Sequence, residues 1–178
     1  GSCGDTITDS RDGQKYPTVC IGEQVWMAKN LNWAGLGVCY DNDPANCTTY
    51  GRLYTIAELT SNEASNANPS GVQGICPNGW HMPTEAEVQT LIVYAGNNGN
   101  ALKREDQGTG SGQGTNTSGF SFLLAGGKEY SGGYYSQLGD VGRIYIGKLG
   151  SCGYSCVYSF EVYGSNSTIY FTQGAMPS

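Results

Sequence analysis

Positive charge is scarce in this chain. Nine lysines and arginines are scattered over 178 residues against fifteen aspartates and glutamates, for a net charge of −6. Nucleic acid and anionic membranes are bound by clustered basic side chains that displace counterions, and no such cluster exists, so both drop out as partners. Long apolar runs are missing as well. None approaches the roughly 20 residues that a spanning helix needs, which excludes direct membrane insertion by this segment. There is one histidine, His81, too few for a Cys2His2 zinc site, and no two cysteines stand in a Cys-x-x-Cys pair. Charged residues amount to only 13%, an unpromising composition for a helical bundle.

What is abundant points elsewhere. Twenty-eight glycines and thirteen tyrosines favour a turn-rich domain with aromatic contacts. The length suits one domain with a real core, taken here as residues 3–178, with Gly1-Ser2 read as a cloning remnant and any export or anchoring segment expected outside this chain. Seven cysteines argue for an oxidising compartment and structural disulfides. Cys39 with Cys47 would close a short loop, Cys152 with Cys156 would staple Gly153-Tyr154-Ser155, and Cys3 with Cys20 would tie the first hairpin; six cysteines allow 15 connectivities, so these pairings are hypotheses.

The most informative run is Cys76-Pro77-Asn78-Gly79-Trp80-His81-Met82-Pro83-Thr84-Glu85-Ala86-Glu87. Pro77-Asn78-Gly79 is a turn signal, Trp80 reads as a buried anchor, and Thr84 with Glu87 forms a capping box. Val88, Leu91, Ile92 and Ala95 continue as a helical stripe that Gly96-Asn97-Asn98-Gly99 ends, giving a helix from about Glu85 to Ala95. Thr6 to Thr8 and Tyr16 to Ile21 read as strands joined through Asp12-Gly13. Trp26 is expected to be buried. Leu53 to Ala64 reads as a first helix and Phe120 to Leu124 as a strand. The small, polar stretch 106–118 reads as a flexible surface loop; a phosphate cradle would need a flanking strand, helix and lysine.

These motifs appear in order with Thr8-Asp9-Ser10-Arg11-Asp12-Gly13, Gly22-Glu23-Gln24-Val25-Trp26-Met27-Ala28-Lys29-Asn30-Leu31-Asn32, Cys39-Tyr40-Asp41-Asn42-Asp43-Pro44-Ala45-Asn46-Cys47, Tyr50-Gly51-Arg52-Leu53-Tyr54 and Gly119-Phe120-Ser121-Phe122. Together, over roughly residues 5 to 127, they closely resemble the Fibrobacter succinogenes major paralogous domain family. The resemblance implies an α+β, C-type-lectin-like fold: two helices packed on small antiparallel sheets, loop-rich and disulfide-stapled, on secreted or surface proteins. Some similar proteins are variable proteins of diversity-generating retroelements, with a ligand-binding C-terminal region. The family resemblance implies that the equivalent of Cys76 pairs with a cysteine in a last strand; no such strand follows here before Ser178, so Cys76 is expected to be left over. The resemblance also implies that adenine-directed change would leave Lys148 and Glu161 fixed.

Residues 3–127 are thus the scaffold half and 128–178 the variable half. Eight of the thirteen tyrosines lie at or beyond Tyr130, interleaved with Ser, Gly and Asn. Strand alternation points Ile144, Ile146, Phe160, Val162, Ile169 and Phe171 inward. It leaves Arg143, Tyr145, Ser159, Glu161, Tyr163, Thr168, Tyr170 and Thr172 outward. Such an outer row has the composition of a paratope. The contact residues expected are Arg143, Tyr145, Tyr154, Ser155, Ser159, Tyr163, Asn166, Thr168 and Tyr170, facing a protein or cell-surface ligand. The bland alternative is that Tyr and Thr simply favour strands.

Other chemistries are thin. His81 is the one general-base candidate, but a structural role with its ring bonded to backbone is the stronger reading. Cys152 and Cys156 could mimic the redox pair of formylglycine-generating enzymes, which share the broad fold; export favours a staple instead. Asp41, Asn42, Asp43 and Asn46 offer oxygens for a structural calcium, but more readily cap turns. No cofactor is expected. The reading is a non-catalytic, exported binding domain; the alternative is a structural or pilus-associated surface domain without a diversified site.

Overall fold

The computed structural model describes residues 2–63, 65, 67–129, 132–147 and 156–175, with the backbone alone at 156, 157 and 172–175. Strands β1 (Thr6–Thr8), β2 (Lys15–Ile21) and β3 (Gln24–Met27) form an antiparallel sheet in the order β1-β2-β3. The β1–β2 turn closes through Asp9 and Gln14, with Gly13 at φ 76°, as the Asp12-Gly13 signal requires. The Cys3–Cys20 disulfide ties the start of the chain to β2, with Cα atoms 5.4 Å apart.

Between residues 38 and 54 the chain makes more structure than its loop-like composition suggests. A 3-10 turn over Tyr40–Asn42 leads into helix α1 (Pro44–Tyr50). Asp43 caps α1 by accepting from the Ala45 N–H at 2.9 Å, and Pro44 sits where its missing N–H costs nothing. Cys47, on α1, bonds to Cys39. Helix α2 is only Ile56–Thr60, not 53–64. Leu53 instead bridges to Val38, and Thr55 with Glu58 makes a second capping box that starts the helix later.

Helix α3 (Glu85–Tyr94) begins at the foreseen capping box, and its stripe is buried: Val88 and Leu91 are fully covered, with Ile92 and Ala95 nearly so. The run before it differs from expectation in one respect. Trp80 is only half-buried, and Met82 is the residue driven inside. The Gly/Asn terminator of α3 folds into a further short helix, α4 (Gly99–Leu102), capped by Asn98. Phe120 to Leu124 forms no strand. Only Phe122 bridges, to Lys103, while Phe120, Phe122, Leu123 and Leu124 are buried. The apolar residues there serve burial rather than strand pairing.

Two more antiparallel units follow. Strands β4 (Ala125–Lys128) and β5 (Tyr135–Leu138) form a hairpin. Strands β6 (Val141–Ile146), β7 (Cys156–Tyr163) and β8 (Ile169–Ala175) form a sheet in the order β6-β7-β8. The core gathers Ile21, the α3 stripe, Ala101, Leu102, Phe120, Phe122, Ile146, Phe160 and Val162. A run of aromatic contacts crosses it: Trp26–Phe120 at 5.6 Å, Phe120–Phe122 at 5.8 Å, Phe122–Phe160 at 5.7 Å. It links the first sheet to the last, and each such pair adds about 1 kcal/mol beyond its area.

The segment 106–118 is folded onto the body rather than standing free. Gln107, Gly112, Gly114 and Ser118 are buried, and a 3-10 turn spans Gly110–Gly112. Its glycines serve close approach. A side chain on Gly112 would collide with the carbonyl of Gly164.

Candidate functional site

The β6–β7–β8 register sorts the side chains into two faces. Ile144, Phe160 and Phe171 lie in one row, with Gly142, Val162 and Ile169 beside it. Arg143, Glu161 and Tyr170 lie in a row on the other face, with Tyr145 and Ser159 beside it. Alternation therefore assigned the faces correctly, since Phe160 and Val162 are fully buried. Phe171 is inward by parity yet 40% exposed, because β8 is the last strand of its sheet among the described residues.

The outer face is not the open surface that alternation alone suggests. Ser159 is 5% and Glu161 9% exposed, Val141 on the same face is buried, and Arg143, Tyr145 and Tyr163 are half-buried. The β4–β5 hairpin lies against β6 at Arg143. Gln137 of that hairpin accepts from Arg143 Nη2 at 2.6 Å, and Gly127 leaves room for the guanidinium. Tyr170 (41% exposed) and Thr168 face solvent, and Asn166 is half-buried. Tyr154 and Ser155, like the Cys152–Cys156 staple, lie outside the described residues.

A hydrogen-bonded chain runs across this face. Arg143 Nε donates to Glu161 Oε1 at 2.8 Å, and Tyr163 Oη donates to Glu161 Oε2 at 2.7 Å. The Tyr163 ring meets Tyr170 edge-on, with centroids 5.0 Å apart. Donation to the carboxylate raises the Tyr163 pKa, since the tyrosinate would face Glu161. Burial raises that of Tyr145. Both Glu161 oxygens accept from the protein's own side chains, and the exposed Tyr170 ring lies beside the Tyr163 edge and the β7–β8 turn. There, Asn166 Oδ1 accepts from the Thr168 N–H at 2.9 Å.

His81 Nε2 pairs with Glu87, 2.8 Å from Oε2. The ring is thus held by the capping-box carboxylate and not by backbone, as had been expected. Asp43 Oδ1 caps α1, Asn42 Oδ1 accepts from the Tyr135 hydroxyl at 3.0 Å, and Asn46 Nδ2 donates to the Tyr40 carbonyl. Asp43 Oδ1 and Asn42 Oδ1 thus have partners within the protein, whereas Asn46 engages its amide nitrogen. Among the described residues no group of three or more His, Cys, Asp or Glu is gathered for a metal. Cys76 is a free thiol, with its pKa pushed up to about 11 by burial.

Two residues that matter were not singled out from sequence. Gln137 latches the hairpin to Arg143 from a backbone at φ 66°. Lys103 is fully buried, against the default that lysine lies outside. The only advance signal was its place directly after the apolar pair Ala101-Leu102.

Comparison with known proteins bears on the scaffold. The family model of the Fibrobacter succinogenes major domain matches residues 19–146, from β2 through β6, and ends before the two strands that carry most of the outer face. No curated protein and no solved structure matches the chain. On the breadth of that match, the chain belongs to the Fibrobacter succinogenes major domain family.

Proposed function

We propose that this chain is a non-catalytic recognition domain of an exported or cell-surface protein. On this reading a C-type-lectin-like scaffold presents the outer face of β6–β7–β8 to a protein or other surface ligand. The observation that carries the reading is the Tyr163–Tyr170 pair: two rings packed edge-on, one anchored through Glu161 and Arg143 to the neighbouring hairpin, the other exposed. Rings held rigid before contact lose little entropy on binding, and tyrosine is enriched among the residues that dominate interface energies. Disulfides at Cys3–Cys20 and Cys39–Cys47 support an oxidising, exported setting.

The finer part of the proposal is diversification by a retroelement. Asn166, Thr168 and Tyr170 are residue types that adenine-directed change can produce, and they sit where solvent reaches the face. A reverse transcriptase gene nearby, with an imperfect template repeat of the 3′ coding region, is the expected genomic finding; absence of both removes this part. The rival reading, a structural or pilus-associated domain, is favoured by the coverage of Ser159 and Glu161.

Binding decides between them. The purified domain is tested by interferometry against a panel of purified cell-envelope proteins and immobilised glycans. Variant Tyr170→Ala is compared with Val93→Ala on the exposed side of α3. Recognition predicts at least one binder, weakened about tenfold or more by the first change and untouched by the second. A panel with no binder, or equal loss in both variants, supports the structural reading.

A further inference from the structure

The Lys103 side chain is fully covered, and no salt bridge includes it among the described residues. Its Nζ donates instead to three main-chain carbonyls: Gly112, Tyr163 at 2.7 Å and Asn166 at 3.0 Å. An ammonium has three protons, and each has an acceptor. Burial lowers the Lys103 pKa, whereas converging carbonyl dipoles favour the charged form, as they do for a dehydrated cation.

The acceptors join distant segments. Gly112 belongs to the loop after α4; Tyr163 and Asn166 bracket the β7–β8 turn. Other bonds arrive at the same turn: Thr109 N–H to the Gly164 carbonyl (2.9 Å), Gly99 N–H to the Ser167 carbonyl (2.7 Å) and Gly164 N–H to the Asp140 carbonyl (2.8 Å). Among the described residues Lys103 is the one whose charged side-chain group bonds into this knot of backbone bonds, and it grips the two residues between which the outer face turns.

We propose that the carbonyls of Gly112, Tyr163 and Asn166 form a monovalent-cation site that the chain fills with its own Lys103 ammonium. Lys103 is thereby the positioning residue of the outer face. The cation site stands on its own geometry; the consequence for recognition rests on the function proposed above.

The test uses Lys103→Ala, which leaves the carbonyls and opens a space, and Lys103→Met, which fills the space without charge. Melting temperatures are compared in ammonium, methylammonium, potassium and tetramethylammonium chlorides at equal ionic strength. Most of the Tm lost in Lys103→Ala is expected back with ammonium, methylammonium or potassium. None is expected back with tetramethylammonium, in Lys103→Met or in the unmutated chain. Backbone amide resonances of residues 163–168 should move in Lys103→Ala and return with the same ions, while those of β1–β3 stay in place. Lack of ion-specific rescue overturns the cation site, and unmoved 163–168 resonances overturn the positioning role. Neither readout needs a ligand, so both are separable from failure of the recognition reading. Should Lys103→Ala not fold, the unmutated chain still decides. Its Lys103 must show a protonated, slowly exchanging Nζ resonance at neutral pH, and a neutral or fast-exchanging amine overturns the proposal.

Discussion

Tyr163 and Glu161 stand two positions apart on β7 and share a 2.7 Å hydrogen bond, while Arg143 on β6 holds the second oxygen of the same carboxylate at 2.8 Å. This arrangement makes the tyrosine a reporter of the ion pair. Its pKa is raised chiefly because its proton is committed to Glu161. In Glu161→Gln the negative charge is gone, and the Tyr163 transition is expected to fall back toward its ordinary value in an ultraviolet titration. Arg143→Met leaves a mostly buried carboxylate uncompensated. A fully buried pair loses 3–5 kcal/mol on such a change. With Arg143 23% exposed, about 2–3 kcal/mol is expected from urea unfolding, part of it restored by adding Glu161→Gln.

Thr84 does double duty at the start of α3. Its Oγ1 accepts from the Glu87 N–H at 3.1 Å and donates to Asn68 Oδ1 at 2.9 Å. Thr84→Ala therefore removes a cap and a tie to the preceding loop, at a cost of about 1–2 kcal/mol. Thr55→Ala, capping the shorter and more exposed α2, is expected to cost less. Chemical denaturation of the two variants side by side checks the order.

Acid stability is set in part at Asp9. Its side chain is 1% exposed and is gripped by Arg11, which also reaches the Ile75 carbonyl at 2.9 Å and lies over the Trp33 ring. The Arg11 hydrogen bond holds the Asp9 pKa below its ordinary 3.8. The native state therefore binds fewer protons here than the unfolded state. The stabilisation is complete above the ordinary carboxylate value and drains away as pH falls through the depressed one. Unfolding free energy should drop more steeply between about pH 5 and about pH 2 in the unmutated chain than in Asp9→Asn.

Cys76 should be a quiet thiol. Burial pushes its pKa up to about 11, so it carries much less thiolate at neutral pH than an ordinary cysteine. Peptide mapping after iodoacetamide treatment is expected to show slow native labelling of Cys76 and fast labelling in denaturant. Rapid native labelling would contradict the burial of this site.

What was readable in the sequence was what local physics decides. Thr84 and Glu87 announced a helix start because a capping box is complete within four residues, and Asp12-Gly13 announced a turn because glycine alone takes that backbone freely. Alternation sorted Ile144 from Arg143 because strand parity is strict. What failed depended on tertiary covering. Nothing along the chain says that the β4–β5 hairpin lies against β6 at Arg143, or that Glu161 and Ser159 are buried. Nothing local says that Lys103 reaches carbonyls sixty residues away, or that Phe120 and Phe122 enter the core without pairing as a strand. Loop 106–118 looked free because its glycines carry no apolar signal; they are there to let backbone meet backbone at Gly164.

The most direct test of the account is a hydrogen-exchange footprint of the domain bound to the tightest binder from the envelope-protein and glycan panel. Protection concentrated in residues 141–146, 158–163 and 166–171, centred on Tyr163 and Tyr170, is the predicted result. Protection that falls on α1–α3 and leaves those three segments exchanging as in the free domain would contradict it.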